Sequence, residues 1–166
     1  MRQLLQSLRT GELEIIDCPI PSCSSGNVVV QTTHSVISSG TEKMLLEFSK
    51  ANYVEKAKQQ PDKVKQVIEK IKTDGLFTTF ESIKSKLDQP IPLGYSNVGV
   101  INEIGSRVSG LKVDDRIVSN GHHAEVVSVP KNLCAKIPEN VTSEKAAFTV
   151  PAAIALQGIR LANPTL

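Results

Sequence analysis

The chain has no apolar run approaching the roughly 20 residues of a membrane-spanning helix. Its first ten residues carry Arg2 and Arg9 with no uninterrupted apolar stretch, so a secretory signal is not expected either. Cysteine is scarce: Cys18, Cys23 and Cys134 are odd in number and too few for a disulfide framework, which fits free, partly buried thiols in a reducing, cytoplasmic setting. Charge of one sign is also lacking, since 19 basic against 17 acidic residues leave a net +2, and this speaks against a dedicated nucleic-acid or acidic-membrane binder. No two glycines stand two residues apart, so the G-x-G-x-x-G dinucleotide fingerprint is absent, and no G-x-x-x-x-G-K-[ST] phosphate loop occurs. Nucleotide chemistry, if the protein performs it, must be completed outside these residues.

What is present suits one domain, expected over residues 1–166, with a small-molecule substrate or a protein as partner. Short β-branched segments bounded by Gly, Pro, Asn and Asp lie at both ends: Leu13–Ile16, Val28–Thr32, Val98–Ile104, Arg116–Val118 and Ala124–Val129. They predict a small twisted sheet or partial barrel. Between them, about residues 42–88 are rich in Lys, Glu and Gln and read as a helical insertion. Pro61 suits a first helical position, Val64, Val67, Ile68 and Ile71 repeat at helical spacing, and Gly75 supplies a stop. Thr78 with Glu81 suggests a capping box for a second helix ending before Pro90. The lysines Lys56, Lys58, Lys63, Lys65, Lys70 and Lys72 alternate with Glu55, Asp62 and Glu69, the pattern of a solvated helix face. From Ser143, a candidate N-cap, to Ala162 a further helix is expected, apolar over much of its surface and divided by Pro151 and Gly158. Such a surface calls for a cover, and self-association as a homodimer is one way to supply it.

Three segments carry a resemblance: Ile37-Ser38-Ser39-Gly40-Thr41-Glu42, then Pro92-Leu93-Gly94-Tyr95-Ser96-Asn97-Val98-Gly99-Val100, then Gly105-Ser106-Arg107-Val108 through Val113-Asp114-Asp115-Arg116-Ile117-Val118. In order and spacing they resemble the C-G-T-D, L-G-H-E-x-x-G-x-V and V-G-D-R-V stretches of the N-terminal, GroES-like domain of medium-chain dehydrogenase/reductases of the zinc-type alcohol dehydrogenase kind. The resemblance implies a mainly β fold with helices: a GroES-like, partly open β-barrel with an α-helical insertion and a C-terminal helix. It also implies a nucleotide-binding Rossmann domain, expected after residue 166 and absent from these residues, and NAD or NADP as cofactor. Ser119-Asn120-Gly121, His123-Ala124-Glu125-Val126-Val127, the stretch Pro130–Pro138 and the Lys-rich insertion are similar to bi-domain oxidoreductases, in which a dehydrogenase-like half precedes a Gfo/Idh/MocA-type half. That kinship implies a sugar or nucleotide-sugar substrate in polysaccharide metabolism.

Carried across residue by residue, the family's zinc ligands fall at Ser39, Tyr95 and about Pro151, with Ser96 in place of the Glu beside the His. A hydroxyl, a phenol and a proline are not zinc donors, so the resemblance is to a zinc-independent member, and the structural zinc lobe is missing too. His122 and His123 are adjacent and do not converge on one ion in an extended chain. Either they are ordinary turn histidines or His122 sits at the rim of the substrate pocket. His34 falls in a strand and reads as structural. Thr41 matches the family's proton-relaying hydroxyl, a group that must both donate and accept, and it reads equally as a helix N-cap. Tyr95 is the other catalytic candidate, a phenol able to donate toward a developing oxyanion or simply an aromatic filling the place of a metal. Ser39, Ser96, Asn120 and His122 are candidate substrate-binding residues, and Glu42 matches the family's Asp as support for Thr41. The rival expectation is a non-catalytic scaffold or interaction module that has lost the ancestral chemistry.

Overall fold

The computed structural model describes residues 1–164. In chain order it contains β1 (Arg2–Gln6), β2 (Leu13–Asp17), β3 (Asn27–Ser35), α1 (Thr41–Lys50), α2 (Tyr53–Gln59), α3 (Pro61–Asp74), α4 (Leu76–Asp88), β4 (Ile91–Pro92), β5 (Asn97–Ile104), β6 (Arg116–Ser119), β7 (Val126–Pro130), β8 (Cys134–Lys136), α5 (Ser143–Ala146) and α6 (Thr149–Ala162). The chain divides into two compact units, one of Met1–Leu4, Ile15–Ile37 and the residues from Leu93 on, the other of Leu5–Glu14 and Ser38–Pro92.

The first unit is built on a five-stranded sheet in the order β7-β3-β5-β6-β8, whose described pairings are antiparallel. β7 and β8 remain as edges, so the sheet is not closed, as expected of a partly open barrel. Alternation along the strands sends Val28, Val30, Ile101, Ile117, Val127 and Val129 into one buried cluster. Val118, one residue on from Ile117, and Val98, three before Ile101, face the other way and pack with Ile137 and with Ala146 and Ala147 of the α5 region in a second cluster. Each of these fully buried valines and isoleucines contributes about 1.5–3 kcal/mol relative to exposure. Register shifts between Val29 and Val30 and between Thr32 and His34 bend β3 against β5. Asp114 adopts φ 69° where the resembling V-G-D-R-V stretch has glycine, a conformation that Asp tolerates better than most residues.

The second unit holds α1 to α4. Within it Leu5 and Gln6 of β1 pair with Pro92 and Ile91 of β4, and the buried Gln6 amide donates to Ser49 Oγ at 2.7 Å. The Lys56 ammonium donates to the Leu8 carbonyl at 2.9 Å, lies 5.7 Å from the Phe48 ring centre, and has its pKa lowered by burial. This lysine is therefore packed, unlike the solvated face assigned to it from the charge pattern.

Several local expectations are corrected. α3 begins at Pro61 and stops at Gly75, as the pattern predicts, but α4 starts at Leu76 with Gly75 as N-cap and no capping side chain. Thr78 and Glu81 are thus already helical, and the capping box of this region is Asn52 with Glu55 at the start of α2. The last helical stretch is capped by Thr142, not Ser143, and it breaks at Ala147 and Phe148, before Pro151. Pro151 occupies the third position of α6, where its missing N–H leaves no hydrogen bond unmade, and α6 continues through Gly158. The strands β1, β4 and β8 carry too few β-branched residues to stand out in the sequence.

Candidate functional site

In the second unit Ser39 and Thr41 are exposed at the start of α1, and Glu42 is half-buried. Thr41 is the first helical residue and makes no capping hydrogen bond; Gly40 precedes it as N-cap. Capping passes instead to Ser38, whose hydroxyl accepts the Thr41 N–H at 3.2 Å while its own N–H donates to Glu42 Oε1 at 2.9 Å. The N-cap role expected for Thr41 is therefore taken by its neighbours, and its hydroxyl is left uncommitted to the helix backbone. Glu42 holds the turn before Thr41.

Tyr95, Ser96, Asn120 and His122 lie in the first unit. Tyr95 is half-buried, and its hydroxyl makes no hydrogen bond among the described residues. Ser96 was expected to line the pocket; it is instead 1% exposed and donates to the Ala147 carbonyl, tying the start of β5 to the end of α5. Asn120 does line an open groove of about 490 Å³ between β6, the turn before β8, β8 itself and α6, with Val118, Leu133, Cys134, Val150 and Ile154 along it. That volume is in the range of small-molecule sites. The Asn120 side-chain oxygen, Oδ1, is buried with no partner among the described residues. Tyr95 and His122 are not among the residues that line this pocket. Burial pushes the Cys134 thiol up to about 11, which makes it a wall and not a nucleophile at neutral pH.

His122 is exposed, yet its ring is engaged: Nδ1 donates to the Gly94 carbonyl at 2.8 Å, which requires that this nitrogen carry the proton. His123, which the sequence reading left as a second turn histidine, places Nδ1 2.8 Å from Ser35 Oγ and its backbone N–H 2.8 Å from the Leu93 carbonyl. Below them Asn97, fully buried, donates to Thr32 Oγ1 at 2.8 Å and to the His122 carbonyl at 3.4 Å. His34 Nε2 lies 3.5 Å from a Glu144 carboxylate oxygen. The signal for this cluster was present in the sequence as two adjacent histidines beside Gly121, but nothing local indicated that their partners would be Leu93 and Gly94.

Charged groups elsewhere in this unit serve the scaffold. The Lys136 ammonium at 2.6 Å holds the Asp115 carboxyl below the usual carboxylate range. Arg2, through its backbone N–H and its guanidinium, does the same for Glu125.

No protein family's profile matches the chain. L-idonate 5-dehydrogenase of Vitis vinifera is 26% identical over 118 residues, covering 52% of this chain and 32% of that protein. A probable D-xylulose reductase A of Neosartorya fischeri is 26% identical over 107 residues, covering 46% and 30%. Among solved structures, galactitol-1-phosphate dehydrogenase from Escherichia coli aligns with a TM-score of 0.66 at 16% identity, over 98% of this chain and 45% of that one. The quinone oxidoreductase from Thermus thermophilus, whose structure includes an NADPH complex, aligns with a TM-score of 0.60 at 21% identity, over 98% and 41%. The chain is thus similar over about half of its length to zinc-type medium-chain dehydrogenases, and its fold is that of their N-terminal, GroES-like part. It spans about a third of the length of the curated relatives it matches. Among the described residues no helix is long and apolar enough to cross a membrane.

Proposed function

We propose that this chain is the substrate-side part of an NAD(P)-dependent oxidoreductase acting on a polyol or sugar, with the dinucleotide held by a domain outside these residues. The relatives named for idonate, xylulose and galactitol phosphate support the substrate class, and the NADPH-bound neighbour supports the cofactor. A nucleotide-sugar in polysaccharide metabolism, and a partner half of the Gfo/Idh/MocA type, are the narrower forms of this reading. One observation carries the assignment of chemistry: the Thr41 hydroxyl is exposed and free of the capping bond that its position at a helix start invites. It is therefore able to accept a proton from a substrate hydroxyl and donate its own in the same step.

Zinc does not fit the donors present. The resemblance puts the ligand positions at Ser39, Tyr95 and about Pro151, none of them a zinc donor, and among the described residues no three His, Cys, Asp or Glu side chains gather as a metal site. No step is routed through a metal. Charge that develops on a substrate oxygen falls to hydrogen-bond donors, for which the uncommitted Tyr95 phenol is the candidate. Asn120 lines the groove and is the candidate there to hydrogen-bond a ligand hydroxyl. Ser39 is the remaining exposed candidate, and Ser96 holds structure instead.

The test is calorimetric titration of the full-length protein with NADH and NADPH, followed by turnover on sorbitol and xylitol. Binding of one dinucleotide and a fall of roughly 100-fold or more in kcat for Thr41→Val are expected. Unchanged turnover in Thr41→Val removes the proton-relay role, and failure to bind either dinucleotide removes the oxidoreductase.

A further inference from the structure

Tyr95 carries a role in the proposed function, and among the described residues its hydroxyl makes no hydrogen bond, so the backbone that bears it is what hydrogen bonds can fix. That backbone is held tightly. Gly94, immediately before it, has φ 91°, a conformation that leaves the peptide free to swing unless something fixes it. Two groups do. The His122 ring donates to the Gly94 carbonyl at 2.8 Å, and the His123 N–H donates to the Leu93 carbonyl at 2.8 Å. The His123 ring also lies against Gly94 so closely that a Cβ there would sit 2.8 Å from its carbons and 2.7 Å from the His123 nitrogen. The two histidines are themselves anchored. Asn97, buried in the sheet, donates to the His122 carbonyl, Ser35 bonds the His123 ring, and Gly121 is packed so close to Val127 and Asn97 that a Cβ would be 2.9 Å and 3.1 Å from them.

We propose that His122 and His123 are positioning residues for Tyr95, holding the Gly94 and Leu93 carbonyls and so fixing the backbone that bears the phenol. The role of the phenol in chemistry rests on the function proposed above; the grip itself does not. His122 thus moves from the pocket rim, where sequence alone suggested it, to a support one residue away from the acting group. Its ring must carry a proton on Nδ1 to do this, and protonation of the other nitrogen leaves that donor in place.

The chain has two tyrosines and no tryptophan, so Tyr53→Phe leaves Tyr95 as its sole fluorophore of that kind. In that background, acrylamide quenching of Tyr95 measures its freedom. His122→Leu is expected to raise the quenching constant roughly twofold with an unchanged far-ultraviolet dichroism spectrum, because a local opening is released without global unfolding. His122→Asn, which keeps an N–H close to the place of Nδ1, is expected to restore the original value. If His122→Leu does not fold, His122→Gln, whose N–H lies one carbon further out, takes its place and is expected to be loosened relative to His122→Asn. Equal quenching in the original, His122→Leu and His122→Asn proteins overturns the proposal, as does loosening of His122→Asn and His122→Leu to the same degree. A separate measurement of kcat for Tyr95→Phe in the full-length protein distinguishes the two readings: an unchanged kcat sinks the role of the phenol, while the quenching series alone decides the grip.

Discussion

Replacing Gly94 by Ala tests the geometry on which the Tyr95 region depends, and Gly110 provides the control. Both glycines have positive φ, 91° and 78°, so Ala at either place meets the backbone strain of an L-residue in that region, about 1–2 kcal/mol. Around Gly110 nothing lies within 4 Å of a built Cβ, so strain is the whole cost there. At Gly94 the new methyl would sit 2.7 Å from the His123 nitrogen, a backbone atom that cannot turn aside as a side chain can. Relief requires the histidine segment to retreat by much of an ångström, which breaks the His123-to-Leu93 and His122-to-Gly94 bonds at about 1 kcal/mol net each. The expected destabilisation is about 3–4 kcal/mol for Gly94→Ala against about 1–2 for Gly110→Ala. The difference of about 2 kcal/mol corresponds to about thirty-fold in the unfolding equilibrium. Urea unfolding of both variants, followed by circular dichroism, measures it. Equal midpoints for the two variants would refute the close approach and, with it, the reason given for glycine at this position.

Two further outcomes follow from the charges and thiols of the sheet unit. Asp115 is held below its ordinary value of 3.8 chiefly by its hydrogen bond from Lys136, so its contribution to stability is complete above that value and is lost as pH falls through the lower folded one. Thermal unfolding of Asp115→Asn between neutral pH and about pH 2 should therefore show a shallower acid loss than the original chain; parallel curves would deny the pair that role. Cys134, pushed up to about 11 by burial, should be about one part in a thousand thiolate at pH 8 and be alkylated by iodoacetamide only slowly, with a rate still climbing above pH 10. A rate that levels off near pH 9, read by mass spectrometry of the labelled peptide, would show that the thiol is not buried as described.

Periodicity and punctuation in the sequence determined the local architecture wherever one kind of signal prevailed. The β-branched runs of β3, β5 and β6 alternate with period two, and the Pro61-to-Gly75 frame of α3 needs no tertiary help to be recognised. The short motifs around Thr41, Tyr95 and Arg116 pointed to the family, and the fold and relatives agree with them. Tertiary structure decided what each candidate side chain does. Thr41 keeps its hydroxyl because Ser38 and Glu42 close the turn before it, whereas Ser96 spends its own on the Ala147 carbonyl, 51 residues away in sequence. Lys56 leaves the solvated face assigned by charge pattern because a carbonyl and an aromatic ring wait for it. His122 becomes a partner of Gly94, and His123 of Leu93, only when the loop after β6 is folded back beside the segment before β5. Hydrogen-bond partners so distant in sequence leave no trace in local periodicity, since the pattern reports which way a residue faces, and only the packed chain reports what it faces.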